Sequence, residues 1–142
     1  MCRRRDAFTL IELLIVVVIL AILAATIIPQ FTDATADTKR STGLMNLRTL
    51  RAQVEMYKAQ HNGSPPATLS LLTQKTDVTG AAGTDFGPYL QFIPVNPFSN
   101  KSTVNTTSTN PPTAVTSGSD RGWLYHASSG NVWLDETGYL TQ

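Results

Sequence analysis

The sequence predicts an α+β protein: one long N-terminal helix, apolar in its first half and amphipathic in its second, packed against a small C-terminal antiparallel β-sheet with loops between. Three observations predict it. An almost unbroken apolar segment runs from Phe8 to Ile28. A helical apolar stripe continues beyond Pro29 as Phe31, Ala34, Leu44, Leu47, Leu50, Val54 and Tyr57, spaced mostly by three and four. Near the C-terminus, Gly122-Trp123-Leu124-Tyr125-His126 and Asn131-Val132-Trp133-Leu134 read as two strands joined by the short turn Ala127-Ser128-Ser129-Gly130.

The first element is long enough to cross a membrane. Its 21 residues from Phe8 to Ile28 are interrupted only by Thr9, Glu12 and Thr26. At a rise of ~1.5 Å per residue they span ~31 Å, close to the ~30 Å hydrocarbon core of a bilayer. Arg3, Arg4 and Arg5 precede the span and are expected to hold that end in the cytoplasm, with everything beyond Pro29 on the outer side. One carboxylate, Glu12, lies inside it. Moving a charged side chain to the centre of a bilayer costs about 2.5 to 3.5 kcal/mol on insertion scales, so an acid there calls for a partner.

A secretory signal peptide fits poorly, because its apolar region is ~7 to 15 residues long and has no use for a glutamate. Two readings stay open from the residues alone. In one, the segment is a plain single-pass anchor and Glu12 snorkels to the interface. In the other, the chain is cut between Ala7 and Phe8, which exposes a new α-amino group one helical turn from Glu12.

Beyond Pro29 the stripe reads as an amphipathic helix over residues 30–62, with Asp33, Asp37, Lys39, Arg40, Arg48, Arg51 and Lys58 off the stripe. Gly63 is its expected C-cap, since Pro65 and Pro66 follow and Lys58 and His61 lie in the last turn. A short helix is predicted around Ala67 to Thr73, with Leu69 and Leu72 facing inward. Gly80, Gly83 and Gly87 mark a loop, and the segments around Tyr89 and Val95 are too proline-rich for central strands. Ser99 to Ser119 is mostly Ser, Thr, Asn, Pro and Gly, which predicts a mobile loop with too little apolar surface to offset ordering. The organisation is then a basic segment 1–7, an apolar segment 8–29 and an outer domain 30–142, the last divided into helix 30–62, loops 63–121 and a hairpin 122–135. Trp123, Tyr125, Val132 and Leu134 are the side chains expected to pack on the long helix.

Composition narrows the function. Of 11 basic and 10 acidic residues, three arginines and Asp6 precede Phe8, so 8 basic and 9 acidic side chains follow it. Such balance argues against a nucleic-acid partner. Cys2 is the single cysteine and lies ahead of the apolar run, which excludes an intramolecular disulfide and does not fit a lipoprotein. His61 and His126 are far apart, and no phosphate-cradling glycine loop or metal-spaced histidine pair occurs, so no enzymatic role is assigned. Asp33 and Asp37 read as solvated helix charges. Trp123 and Trp133 fit core packing better than a sugar platform.

Phe8-Thr9-Leu10-Ile11-Glu12-Leu13-Leu14-Ile15-Val16 resembles the prepilin signature of type IV pilins and type II secretion pseudopilins. The resemblance implies that a membrane prepilin peptidase cuts between Ala7 and Phe8 and methylates the new Phe8 amine. Ala7 stands where the family usually has glycine. It also implies that Pro29 takes the place of the family's helix-breaking proline, a site of melting or kinking. In a filament, Glu12 of one subunit would neutralise the Phe8 ammonium of a neighbour. A buried charge pair adds little net stability but penalises every register in which it is unmatched, so Glu12 would set the stagger of assembly.

Met56-Tyr57-Lys58 ahead of Gly63-Ser64-Pro65, Leu69 to Leu72, Tyr89-Leu90 with Ile93-Pro94, and Asn96-Pro97-Phe98 extend the resemblance to the major, G-type pseudopilins. This implies a pilin-like fold and a structural subunit of a type II secretion pseudopilus that drives proteins across the outer membrane. The implied partners are copies of itself, minor pseudopilins, the prepilin peptidase, the inner-membrane assembly platform and the membrane. The implied location is a single inner-membrane span with a cytoplasmic N-terminus and a periplasmic domain, later drawn into a periplasmic filament. The family also binds calcium in a C-terminal loop, for which Asp120, Asn131, Asp135 and Glu136 are the available oxygens here. Calcium favours six to eight oxygen ligands, and solvated acids beside turns are the competing reading. Two other functions remain: a type IV pilus subunit for adhesion, motility or DNA uptake, and an uncleaved, membrane-anchored binding domain.

Overall fold

The computed structural model describes residues 8–141. The chain divides into two compact units, residues 1–38 and 39–142, and helix α1, Leu10–Gln60, contributes to both. The first unit is helical from Leu10 onward. Its segment Leu10–Ile27 has a mean hydropathy of 3.1 and none of it is buried within the subunit. A helix that is apolar all round needs lipid or other helices for cover. Within this stretch the Thr26 hydroxyl donates to the Leu23 carbonyl at 2.9 Å. The helix continues through Pro29, although proline supplies no N–H to the ladder.

The second unit has its own core. Along α1, Leu47, Leu50, Val54 and Tyr57 are buried at intervals of three and four, while Leu44 is half-buried. The predicted stripe is therefore narrower than expected, and Ala34, in the first unit, is exposed. The helix ends at Gln60, two residues short of the expected bound, and Gly63 follows with a φ of +81° and its N–H donating to the Lys58 carbonyl at 2.8 Å. A short 3-10 helix, Leu69–Thr73, then buries Leu69 and Leu72 completely.

Three strands follow: β1 (Val104–Thr106), β2 (Trp123–His126) and β3 (Asn131–Leu134), in the order β1-β2-β3. The β2–β3 pair is the predicted antiparallel hairpin, but β1 pairs with β2 in parallel, so the sheet is mixed and not wholly antiparallel. The expected mobile loop between Ser99 and Ser119 thus contains a strand. Backbone pairing, and not apolar content, orders it. The Trp123 N–H donates to the Thr103 carbonyl at 2.8 Å and the Thr107 N–H to the Tyr125 carbonyl at 2.9 Å. Gly122 permits this approach, since a Cβ there would lie 2.1 Å from the Thr103 oxygen.

Register places Trp123 opposite Leu134 and Tyr125 opposite Val132, and these four join the α1 side chains in one core cluster. Adjacent strand positions alternate faces, and Leu124 and Trp133, on the other face, are also nearly fully buried. Burial of both indoles sets aside a sugar platform. The Trp123 Nε1–H donates to the Pro94 carbonyl at 2.7 Å. Arg51 fastens α1 to β3, donating from Nε and Nη2 to the Val132 carbonyl at 3.0 and 2.8 Å. The hairpin turn also sits close against the helix. Gly130, with a φ of +78°, leaves no room for a Cβ, which would lie 2.9 Å from the Pro65 Cβ and 3.0 Å from the Val54 Cγ1.

Candidate functional site

The first turn of α1 holds the one carboxylate of the apolar segment. Thr9 precedes the helix and Glu12 lies three residues on, and the two side chains cap each other. The Thr9 N–H and hydroxyl donate to Glu12 Oε2 at 2.8 and 2.6 Å, and the Glu12 N–H donates to Thr9 Oγ1 at 3.3 Å. This reciprocal arrangement satisfies donors that a helix start leaves without intrahelical partners. Both bonds to the carboxylate fall on Oε2, and Oε1 accepts none among the described residues. The structure therefore brings Phe8, Thr9 and Glu12 together at one helix end, where Phe8 is 78% exposed. Ala7 lies outside the described residues. Pro29 is helical in its backbone. The role of Thr9 is absent from the sequence reading, although Thr9-Leu10-Ile11-Glu12 matches the Thr-x-x-Glu capping pattern that would have revealed it.

The four oxygen-bearing residues near the C-terminus do not share one centre. Asp135 is completely buried; its Oδ1 accepts from the Thr116 N–H at 2.9 Å and its Oδ2 from Asn105 Nδ2 at 3.4 Å. The same Asn105 amide donates to the Asp120 carbonyl at 2.9 Å, and the Asp120 carboxylate accepts from the Thr103 hydroxyl at 2.7 Å. Asp120 and Asp135 are thus joined through Asn105. Asn131 instead donates to Asn110 Oδ1 at 3.0 Å, and Glu136 accepts from the Thr137 N–H at 3.2 Å. Among the described residues no three His, Cys, Asp or Glu side chains gather as a metal cluster. Asp135 ties β1 and the segment after it to the end of β3, a role that the sequence does not announce.

The histidines have separate surroundings. His61, 2% exposed, stacks on Tyr57 with ring centroids 3.6 Å apart. Its Nδ1 lies 2.8 Å from the Tyr57 carbonyl, to which it donates, and its Nε2 lies 2.9 Å from the Thr76 hydroxyl. A cavity of about 290 Å³ opens beside this pair, lined also by Asn62, Ser64, Thr79 and Gly80. Burial, reinforced by the nearby Asp77 carboxylate, raises the Tyr57 hydroxyl above its ordinary pKa. His126 is engaged elsewhere, with Nδ1 2.9 Å from the Ser129 hydroxyl in the hairpin turn.

The family model described as the prokaryotic N-terminal methylation motif matches residues 2–28, which include Phe8, Thr9 and Glu12. Over 101 residues the chain is 32% identical to the type II secretion system core protein G of Pseudomonas aeruginosa, covering 69% of this chain and 71% of that protein. It is 27% identical over 101 residues to the protein of the same name from Aeromonas hydrophila, covering 69% and 71%. The Vibrio cholerae protein of that name is 27% identical over 100 residues, covering 69% and 68%. No solved structure matches the chain.

Proposed function

The chain belongs to the family of type II secretion system core protein G, and from that premise we propose that it is a structural subunit of a type II secretion pseudopilus. The observation that carries the proposal is the segment Leu10–Ile27, membrane-long, unburied by its own subunit and bearing a single carboxylate in its first turn. Such a segment is covered first by lipid and then by copies of itself. In the membrane stage it crosses the inner membrane once, with the N-terminus cytoplasmic and the domain periplasmic. A prepilin peptidase cuts between Ala7 and Phe8 and methylates the Phe8 amine. Assembly, with the help of minor pseudopilins and the inner-membrane platform, then packs the stems into a periplasmic filament that moves proteins across the outer membrane.

Within the filament the Glu12 carboxylate of one subunit meets the Phe8 ammonium of another. Unmatched registers leave a charge buried without its partner, and this selects the stagger. Pro29, which cannot donate to the helix ladder, is the place where the stem yields. Calcium enters the proposal only through Asp120 and Asp135, where backbone oxygens or water would have to complete six to eight ligands. A higher melting temperature with added calcium than with chelator supports a bound ion there. No difference assigns both acids to Asn105, Thr103 and Thr116 alone.

The functional test is deletion and complementation. Loss of this subunit is expected to stop secretion of proteins that depend on the system, and the wild-type chain to restore it. Intact secretion together with loss of long surface fibres would assign the chain to a type IV pilus.

A further inference from the structure

Tyr57 carries a hydroxyl that the fold does not use. The side chain is 2% exposed and its ring stacks on His61, yet the hydroxyl has no hydrogen-bond partner among the described residues. None of their polar side-chain atoms is both sealed from solvent and without a partner, so this hydroxyl opens into the cavity of about 290 Å³ that Tyr57 lines. Native interiors nearly always match a buried polar group, and an exception calls for a ligand or a strain to explain it. The space above the hydroxyl is kept free by Gly80, where a Cβ would lie 2.7 Å from the Tyr57 oxygen. We propose that this cavity is a binding site for one neutral sugar ring, with the Tyr57 hydroxyl as its buried hydrogen-bond anchor. The site lies outside the stem, and the inference does not depend on assembly of a pseudopilus.

The lining decides the ligand's chemistry. Among the described residues it contains no Asp, Glu, Lys or Arg, so a charged ligand would lose water without gaining a counterion. The two nitrogens of His61 are already engaged, by the Tyr57 carbonyl and the Thr76 hydroxyl. What remains is neutral and of both hydrogen-bonding senses. Burial keeps the Tyr57 hydroxyl protonated and able to donate. The Thr79 hydroxyl donates to Asp77 Oδ1 at 2.7 Å, which leaves its lone pairs to accept. Asn62 and Ser64, also in the lining, supply an amide and a second hydroxyl whose side chains bond nothing among the described residues. Pro65, Leu71 and Val78 give the same cavity an apolar wall. Hydroxyls around a rim and C–H groups on the faces are the complement of such a lining, and they describe a sugar ring. The volume lies at the small end of the ~300–1,000 Å³ range of ligand pockets, which suits a single ring. A ring held there would bridge the end of α1, through Tyr57, to the turn that carries Thr79 and Gly80.

The test uses the full chain in a detergent without a sugar headgroup, with glucose, N-acetylglucosamine and glucuronate as probes. Saturation-transfer NMR is expected to show at least one of the two neutral sugars bound, and the anionic glucuronate about tenfold more weakly. The bound sugar is expected to raise the melting temperature of the domain. Tyr57→Phe keeps the ring that stacks on His61 and removes only the hydroxyl. It is expected to weaken the sugar about fivefold, the size of one lost hydrogen bond, and to leave the sugar-free melting temperature no lower than wild type. Ser64→Trp, at an exposed position of the lining, is expected to fold normally and block the cavity. No transfer to either neutral sugar overturns the proposal, as does glucuronate binding equal to theirs. Binding undiminished in both variants places the sugar elsewhere and overturns it too. A sugar-free melting temperature lowered by Tyr57→Phe would show that the hydroxyl serves the core, and removes it as a ligand anchor.

Discussion

Helix α1 is written for two different surroundings. From Leu10 to Ile27 it carries a mean hydropathy of 3.1 and buries nothing, whereas from Leu47 to Tyr57 its inward side chains are all 2% exposed or less. The first stretch is apolar on every face and depends on lipid or other subunits. The second is apolar on one stripe and is covered by Leu69, Leu72 and the sheet of its own chain. Changes in the first stretch alter insertion and assembly and leave the domain standing, while changes in the second alter folding.

The sharpest way to break this contrast is at Gly122. Any side chain there meets the Thr103 carbonyl, with the Cβ at 2.1 Å, so Gly122→Val is expected to separate β1 from β2 and abolish the folded domain. Near-ultraviolet circular dichroism of Trp123 and Trp133 in the detergent-solubilised chain reads the loss directly. Glu12→Ala is the counterpart in the stem. It is expected to be processed, to keep the domain's melting temperature and to form no filaments, whereas normal filaments would show that the carboxylate does not set the register.

Leu50→Ala removes a fully buried side chain between helix and sheet and is expected to cost about 2 to 5 kcal/mol in urea unfolding. Asp135→Asn keeps the volume but turns one acceptor into a donor facing the Thr116 N–H or the Asn105 amide. A loss of about 1 to 3 kcal/mol follows from the unsatisfied group, accompanied by faster hydrogen exchange at Thr116.

The smallest effect is alkaline. Burial raises the hydroxyls of Tyr125, Tyr57 and Tyr89 above the ordinary value of 10.0. Their neutral forms therefore favour the folded domain below that pH, and the contribution is lost as pH rises through the folded-state values. The melting temperature is expected to fall above pH ~10, the ordinary tyrosine value, and Tyr125→Phe to shrink that fall.

The first helical half was legible from the length of its unbroken apolar run, the second from its helical period, and the hairpin from two aromatic, β-branched runs around a glycine turn. Leu47, Leu50, Val54 and Tyr57 announce a helix face, and Trp123 to His126 with Asn131 to Leu134 announce paired strands around a glycine turn. Strand β1 was not legible. Val104 is its single apolar residue, and its order comes from backbone bonds to β2 and from Asn105 and Thr103 reaching Asp120. The burial of Asn96 and Asp135 was equally hidden. Each is fully buried because a donor or acceptor distant in sequence meets it, as where Asn96 Nδ2 donates to the Gly122 carbonyl at 2.9 Å. At the assembly end, Glu12 stood out as a charge in an apolar run. Its partner Thr9 did not, because a single threonine is unremarkable until the three-residue spacing is read as a cap.

The central claim is that a cut between Ala7 and Phe8 creates the ammonium that Glu12 meets in a neighbouring subunit. Intact-mass and N-terminal peptide mass spectrometry of the protein extracted from membranes tests it most directly. The mature chain is expected to begin at Phe8 and to carry one added methyl group on its amine. A chain that retains Arg3, Arg4, Arg5 and Asp6 in every molecule would contradict it and leave the stem an ordinary membrane anchor.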